Sequence, residues 1–309
     1  MIKWLKNHLV MRDGAVFKYL QLIPESVIWI DTEPIKLHNW KGLLRIRFRF
    51  RSVTLPDNDT YVIVHNSYSG YYHWLLESVP KILEAQQAIP SFTLLLPASY
   101  TDTFYEATLC LLGLGNIERL HSDIMYRVPR LALPYNAATM RNHSAPMLHK
   151  MKAVFFNRLG IQQPVKTLKR LYISRRKANR RRVLNETEVE QLLLSFGFES
   201  VCFEDYNFAE QVHLCASAEI LIGIHGAGLA NMIFLPEKAT VIEFRKFDNG
   251  WNHFFTSLAS TLQYTCHLLY CAAEDEQQLV QDANLLVDLS SLRIMLSKVF
   301  ARKQNDDAI

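Results

Sequence analysis

Ile220-Leu221-Ile222-Gly223-Ile224-His225-Gly226-Ala227-Gly228-Leu229-Ala230-Asn231 is the stretch on which the fold turns. Its unbroken apolar run after Glu219 reads as a strand buried on both faces, the pattern of a parallel sheet. The run stops at His225. Small residues at 226 to 228 let the backbone turn tightly and approach a ligand closely. A helix is expected next, carrying Leu229, Ile233 and Phe234 inward. Strand, glycine turn and helix start together present backbone N–H groups and a positive dipole end to an anion. A phosphate is the natural anion, with His225 at its edge as donor or proton carrier. The alternative is a tight strand-to-helix turn with a satisfied core histidine.

The same alternation continues outward. Strands are expected at Arg170–Ser174, Glu199–Phe203, Thr240–Phe244 and Tyr264–Tyr270. Helices are expected from Asn185 to Phe196, opened by a capping box over Asn185–Glu188, and at Phe208–Ser217 and Trp251–Leu262. Residues 274 to 301 read as one long helix or two short ones. Repeated βα units imply an open parallel sheet whose ligands bind at the carboxyl ends of the strands. Those ends carry Ser174-Arg175-Arg176, Ile224-His225-Gly226, and Glu243 with Arg245. Arginines and the amides of 226 to 228 suit a sugar-nucleotide diphosphate, and Glu243 suits ribose hydroxyls. Six Lys/Arg in 175 to 182 form a basic loop. It lacks the interleaved aromatics of a single-strand nucleic-acid binder. Arg180 to Arg182 read as solvated, or as a contact to an anionic membrane surface, and no nucleic-acid partner is expected.

The first half holds a second informative stretch, Tyr71-Tyr72-His73-Trp74-Leu75-Leu76-Glu77-Ser78-Val79-Pro80, after the short strand Tyr61–Val64. Leu75, Leu76, Val79, Ile82 and Leu83 form a helical apolar stripe. His73 and Glu77 stand four residues apart and share one helix face. A histidine and a carboxylate at a strand-to-helix junction suit acid–base work; the alternative is a solvated pair flanking the stripe. Strands at 93–97, 117–120 and 126–133 and helices at 101–112 and 145–159 follow. The polar stretch 160–167 places a boundary between domains 1–163 and 164–309. Met1–Val10 is expected to be a helix packed on the first domain, and residues 14–64 to be β structure. Leu44–Arg51 alternates strictly, with Ile46, Phe48 and Phe50 on one face and arginines on the other, as a charge-guarded edge strand does.

Composition limits the function classes. The 309 residues suit two domains, and 49% hydrophobic with 21% charged residues describes a folded protein. A net charge of +4 does not by itself indicate nucleic acid. No run of 18 apolar residues suggests a membrane span, and the start lacks signal-peptide form. Five cysteines without a C-x-x-C pair fit a reducing compartment.

Taken with Leu171–Ala178, Asn185-Glu186, Phe208–Gln211 and Ile242-Glu243, the two stretches resemble glycosyltransferase family 61 between about residues 61 and 270. The resemblance implies two Rossmann-like domains facing a cleft, the GT-B arrangement: 1–163 for the acceptor and 164–309 for the nucleotide-sugar donor, with the last helix able to pack back on the first domain. It implies an inverting transfer to a glycan or lipid-linked glycan hydroxyl, a nucleoside diphosphate leaving group, and no metal or other cofactor. Glu77 or His73 is the expected base; Arg175, Arg176, His225, Gly226, Ala227, Gly228 and Glu243 are the expected donor site. With no anchor or luminal stem of the eukaryotic members, the chain resembles bacterial capsular or surface-polysaccharide enzymes, cytoplasmic and peripheral at the inner membrane face. The rival readings are a non-catalytic sugar-nucleotide or polysaccharide-binding subunit and a Rossmann oxidoreductase.

Overall fold

The computed structural model describes residues 1–19, 21–27, 29–30, 33–34, 51–135, 138–139, 142–162, 168–247 and 253–306. The chain divides into two compact units, Met1–Arg158 and Leu159–Ile309. The α/β character expected from the sequence is present in both, each built on its own sheet.

In the second unit the quoted stretch is a central strand. The spatial order is Glu199–Val201, Lys169–Ile173, Ala218–Ile224, Thr240–Lys246, Thr265–Ala273, all parallel, with Leu285–Leu286 antiparallel at the edge. Ile220, Ile222 and Ile224 pack with Val189, Leu193, Leu292 and Leu296, so one face is covered by the helices Glu186–Ser195 and Leu289–Asp306. On the other face Gly223 leaves room for Leu229, whose Cδ2 would lie 3.2 Å from an added Cβ. Burial on both faces is what the apolar run required. Chain order along this sheet changes direction between Lys169–Ile173 and Ala218–Ile224. In doubly wound sheets that is where the crevice opens, outside the carboxyl ends of the two strands. Arg175 follows one of these ends and His225 the other.

Local details depart from expectation. The segment after Gly226 is a 3₁₀ helix, Ala227–Phe234, with Leu229 N–H donating to the Gly226 carbonyl. Asn185 forms no cap; its amide instead donates to the Val287 carbonyl and accepts from the Val287 N–H, tying Glu186–Ser195 to the chain before the last helix. The capping box is at Asn207 and Glu210. Residues 274 to 288 are not helical, because Leu285–Leu286 adds to the sheet edge; one helix, Leu289–Asp306, follows. Residue 251, expected to open a helix, lies outside the described residues, and the helix runs Phe254–Thr261.

The first unit is a mixed eight-stranded sheet rather than an all-parallel one. Tyr61–Ile63, Thr93–Pro97, Ile117–Leu120 and Ile124–Pro134 are parallel; Ile2–Val10 runs antiparallel to Ile124–Pro134 and continues into Val16–Lys18 and Gln21–Leu22. Met1–Val10 is therefore a strand, not the expected helix. Trp4 and Lys6 point outward and Leu5 inward, a period of two, with Leu5 opposite Leu131. The expected alternation over 44–50 lies outside the described residues, and Arg51 opens the strand Arg51–Thr54. The helix after Tyr61–Ile63 is α-helical over Tyr71–His73, π-helical over Trp74–Ser78 and α-helical again over Val79–Ala88. Pro80 accounts for the wide turn. It brings no N–H, and its ring crowds the carbonyl four residues back; the Val79 N–H reaches five residues back, to Trp74.

Candidate active site

At the carboxyl edge of the second sheet, His225 and Glu243 form one unit. The parallel register sets Gly223 opposite Glu243, and the His225 N–H donates to the Phe244 carbonyl. Two neighbouring strands thus bring His225 Nδ1 within 2.5 Å of Glu243 Oε1. Both side chains are buried, and Phe255 stands edge-on to the imidazole at 5.1 Å. The guanidinium of Arg245, fully buried, lies 3.7 Å from the same carboxylate oxygen. Glu243 therefore faces His225 and Arg245 rather than an open pocket, while its Oε2 has no partner among the described residues.

The basic loop divides into arginines with different partners. Arg176 bonds Ser174 and pairs with Glu190 on the outside, its side chain 52% exposed. Arg175 is held closer in: its N–H donates to Glu186, and its guanidinium meets Glu204 at 3.3 Å. Arg180 pairs with Asp282. Arg181, grouped with the solvated residues in the sequence reading, turns inward. Its Nη1 would lie 3.3 Å from a Cβ at Gly226, so the guanidinium packs closely on that turn and would have to give by a few tenths of an ångström to a side chain there. Arg181 adopts a left-handed backbone conformation (φ 56°). Burial, with the charges of Arg175 and Arg180 beside it, pushes its pKa down. The Nε atoms of Arg175 and Arg181 are both buried without a partner among the described residues. The structure thus gathers Arg175, Arg181, His225 and Gly226 around one turn and leaves Arg176 on a surface ion pair.

The first unit carries its own histidine–carboxylate pair at the end of Tyr61–Ile63. His73 Nδ1 lies 3.0 Å from Glu77 Oε2, and Asn66 Nδ2 donates to the same oxygen at 3.0 Å. Asn66 is fixed by accepting from the Tyr68 N–H. Tyr68 stacks on the His73 ring at 4.7 Å. Glu77 is 1% exposed, and its Oε1 is enclosed with no partner among the described residues. The His73 side chain keeps 19% exposure. With Nδ1 on the carboxylate, Nε2 is the ring atom left to meet a substrate. Burial raises the Tyr100 hydroxyl, and the Glu77 charge adds to the shift; burial lowers His143 against the opposite pull of Glu77. Behind the pair, Gly14 adopts φ 92° and packs so tightly on the His65 carbonyl that a Cβ would come within 2.5 Å of it. Among the described residues, no group of three or more His, Cys, Asp or Glu could hold a metal ion, and no helix is long and apolar enough to cross a membrane.

The glycosyltransferase 61 family model matches residues 71–242, more than half of the chain. The chain belongs to glycosyltransferase family 61. That family match takes in His73, Glu77, Arg175, Arg181 and His225 and ends one residue before Glu243. Among curated relatives, the chain is 31% identical over 153 residues to the EGF domain-specific O-linked N-acetylglucosamine transferase of Gallus gallus, covering 47% of this chain and 27% of that protein. The enzyme of the same name from Rattus norvegicus is 31% identical over 145 residues (45% and 25%), and that of Drosophila melanogaster 29% over 130 residues (41% and 24%). The chain thus matches about a quarter of the length of these family members.

Sequence reading missed Asn66, Arg181 and the partnership of His225 with Glu243. Asn66 lies in the loop ahead of the helix that opens at Tyr71, so no helical pattern relates it to Glu77. Arg181 is one of three consecutive arginines. A signal was available for the third: His225 and Glu243 end adjacent apolar runs, and parallel pairing of those runs brings the two side chains together.

Proposed function

We propose that the chain is a glycosyltransferase of the GT-B type that moves a sugar, with inversion, from a nucleoside-diphosphate donor to an acceptor hydroxyl. The observation that carries this reading is Arg181, whose guanidinium faces the Gly226 turn with the Arg175 charge beside it, the buried Nε atoms of both being without a partner among the described residues. Two cations, His225 and the start of a helix at the carboxyl edge of a parallel sheet suit a diphosphate. In a single displacement the leaving group gains negative charge as the sugar–phosphate bond breaks, and preset cations stabilise that charge most where it develops. His225 would donate to a phosphate oxygen, with Glu243 holding its ring and Arg245 balancing the carboxylate; Glu243 would then be a positioning residue rather than a ribose ligand. His73 would take the acceptor proton on Nε2, while Glu77 orients the imidazole and stabilises its charged form. The enclosure of Glu77 favours His73 over Glu77 as the group that touches the acceptor. The names of the relatives make N-acetylglucosamine the first donor sugar to try. The acceptor is a hydroxyl of a glycan or of a protein.

Thermal unfolding with UDP, GDP, CDP, dTDP and NADH, each with and without EDTA, tests the donor site. A nucleoside diphosphate at 100 times its dissociation constant adds about 2.7 kcal/mol to native stability. We expect one of them to do so regardless of EDTA, and Arg181→Ala to weaken its binding tenfold or more, about the loss of one charge-assisted hydrogen bond. Stabilisation by NADH alone would overturn the reading.

A further inference from the structure

A second basic feature lies in the first unit, away from His73. The outer face of the first sheet holds a cavity of about 570 Å³, with Leu9 and Met125 as apolar lining and Lys6, Lys18, Arg127 and Tyr19 around them. Among the described residues, no carboxylate lines it. Lys6, Lys18 and Arg127 make no ion pair among the described residues. The cavity sits at the start of Ile124–Pro134. Arg127 is six residues before Leu133, which lies level with the end of Tyr61–Ile63. At about 3.3 Å per residue, that is some 20 Å from the edge where Asn66 and His73 sit.

Two residues with left-handed backbone line this cavity. Asn7 (φ 54°) interrupts the alternation of Ile2–Val10, so that Lys6 and Asn7 are both exposed in succession and Leu9 then faces the cavity. Tyr19 (φ 56°) is also left-handed, as the two-residue connection between the paired strands Val16–Lys18 and Gln21–Leu22 requires. Trp4, two residues before Lys6 on the same side of the strand, is 59% exposed, and Tyr19 is 79% exposed. The cationic field reaches inward: burial lowers the His8 pKa, and Lys18 and Lys3 lower it further.

We propose that this cavity binds a phosphate group carried on an apolar chain, the phosphate on Lys6, Lys18 and Arg127 and the first methylenes over Leu9 and Met125. Three cations converging on one cavity match a phosphate, and the apolar lining distinguishes a lipid phosphate from an inorganic one. Exposed Trp and Tyr beside lysines are the side chains that settle at a boundary between water and hydrocarbon. The inference is independent of sugar transfer and of the diphosphate site in the other unit.

Co-sedimentation of the full chain with vesicles of equimolar phosphatidylglycerol and phosphatidylcholine, and with phosphatidylcholine alone, tests it. The wild type should bind the anionic vesicles only. The variant K6E/K18E/R127E should bind them about a hundredfold less tightly, and Lys6→Gln with Lys18→Gln about tenfold less. Melting curves by circular dichroism check that both variants fold before binding is compared. Titration with dihexanoyl phosphatidic acid and with inorganic phosphate separates the sources. Competition by the short-chain lipid supports a dispersed lipid phosphate as occupant; vesicle binding lost in the variants without that competition supports a bilayer headgroup. Equal vesicle binding by wild type and both variants, no binding by any of them, or competition by inorganic phosphate as strong as by the lipid would overturn the proposal.

Discussion

The two units each set a histidine against a buried carboxylate, and they do it differently. His73 and Glu77 are neighbours on one helix, joined at 3.0 Å, with Asn66 as the carboxylate's other partner and the imidazole 19% exposed. His225 and Glu243 come from two strands, eighteen residues apart, joined at 2.5 Å over the fully buried Arg245. The first pair has a neutral amide beside its carboxylate and an imidazole open on one side. In the second the carboxylate is shared between an imidazole and a guanidinium and is sealed in. An open imidazole can exchange a proton with a substrate. A sealed carboxylate fixes a direction and a charge.

The contrast breaks first in kinetics. His73→Ala should lower kcat by about 10²–10⁴ and leave donor affinity alone, as loss of a general base does, whereas His225→Ala should chiefly raise the donor dissociation constant. Steady-state rates beside calorimetric titration separate the two effects, and the reverse pattern would exchange the roles of the pairs. Stability sharpens it next. Glu243→Gln removes a buried charge that His225 bonds and that lies 3.7 Å from the Arg245 guanidinium, and should cost about 3–5 kcal/mol in urea unfolding. Glu77→Gln, beside the Asn66 amide and the His73 imidazole with the Lys81 charge near by, should cost about 1–3 kcal/mol. Equal costs would mean that the two carboxylates do the same work.

Acid should loosen the frame of the first pair. Burial, against a hydrogen bond to the Arg12 carbonyl, lowers His65 to about 4. Its unfolded value is near 6.5, so the unfolded chain takes up the proton first. Stability is therefore lost as pH falls from about 6.5 to 4, by about 3 kcal/mol in all. Urea midpoints at pH 7 and pH 4.5 should show this slope flattened in His65→Gln relative to wild type. The smallest effect is expected at Arg176. Its ion pair with Glu190 is half exposed, so Arg176→Ala should change stability by less than about 1 kcal/mol and leave donor binding unchanged.

What was legible in the sequence follows the same division between local and distant. The contact of His73 with Glu77 could be read because a helix fixes which residues share a face. The buried strand around Leu221 could be read because burial on both faces leaves no polar position. His225 and Glu243 were read as separate ligands, because only strand pairing brings them together. Arg181 was hidden among arginines that look alike until the backbone turns one of them left-handed. Met1–Val10 was misread because Asn7 breaks its alternation after three turns of the pleat, which leaves too short a period-two signal on either side.

The wide turn at Trp74–Ser78 also bears on how this segment tolerates change in length. A π turn is a helix holding one residue more than its hydrogen bonding needs. Deleting one residue there would give a more regular helix, and by itself that is no cost. The flanking turns would keep their directions, but a different residue of the shortened stretch would face Asn66 and Tyr68. Regularity of the helix and registry of the loop that precedes it are therefore opposed at this point, and Pro80 holds the segment on the side of registry.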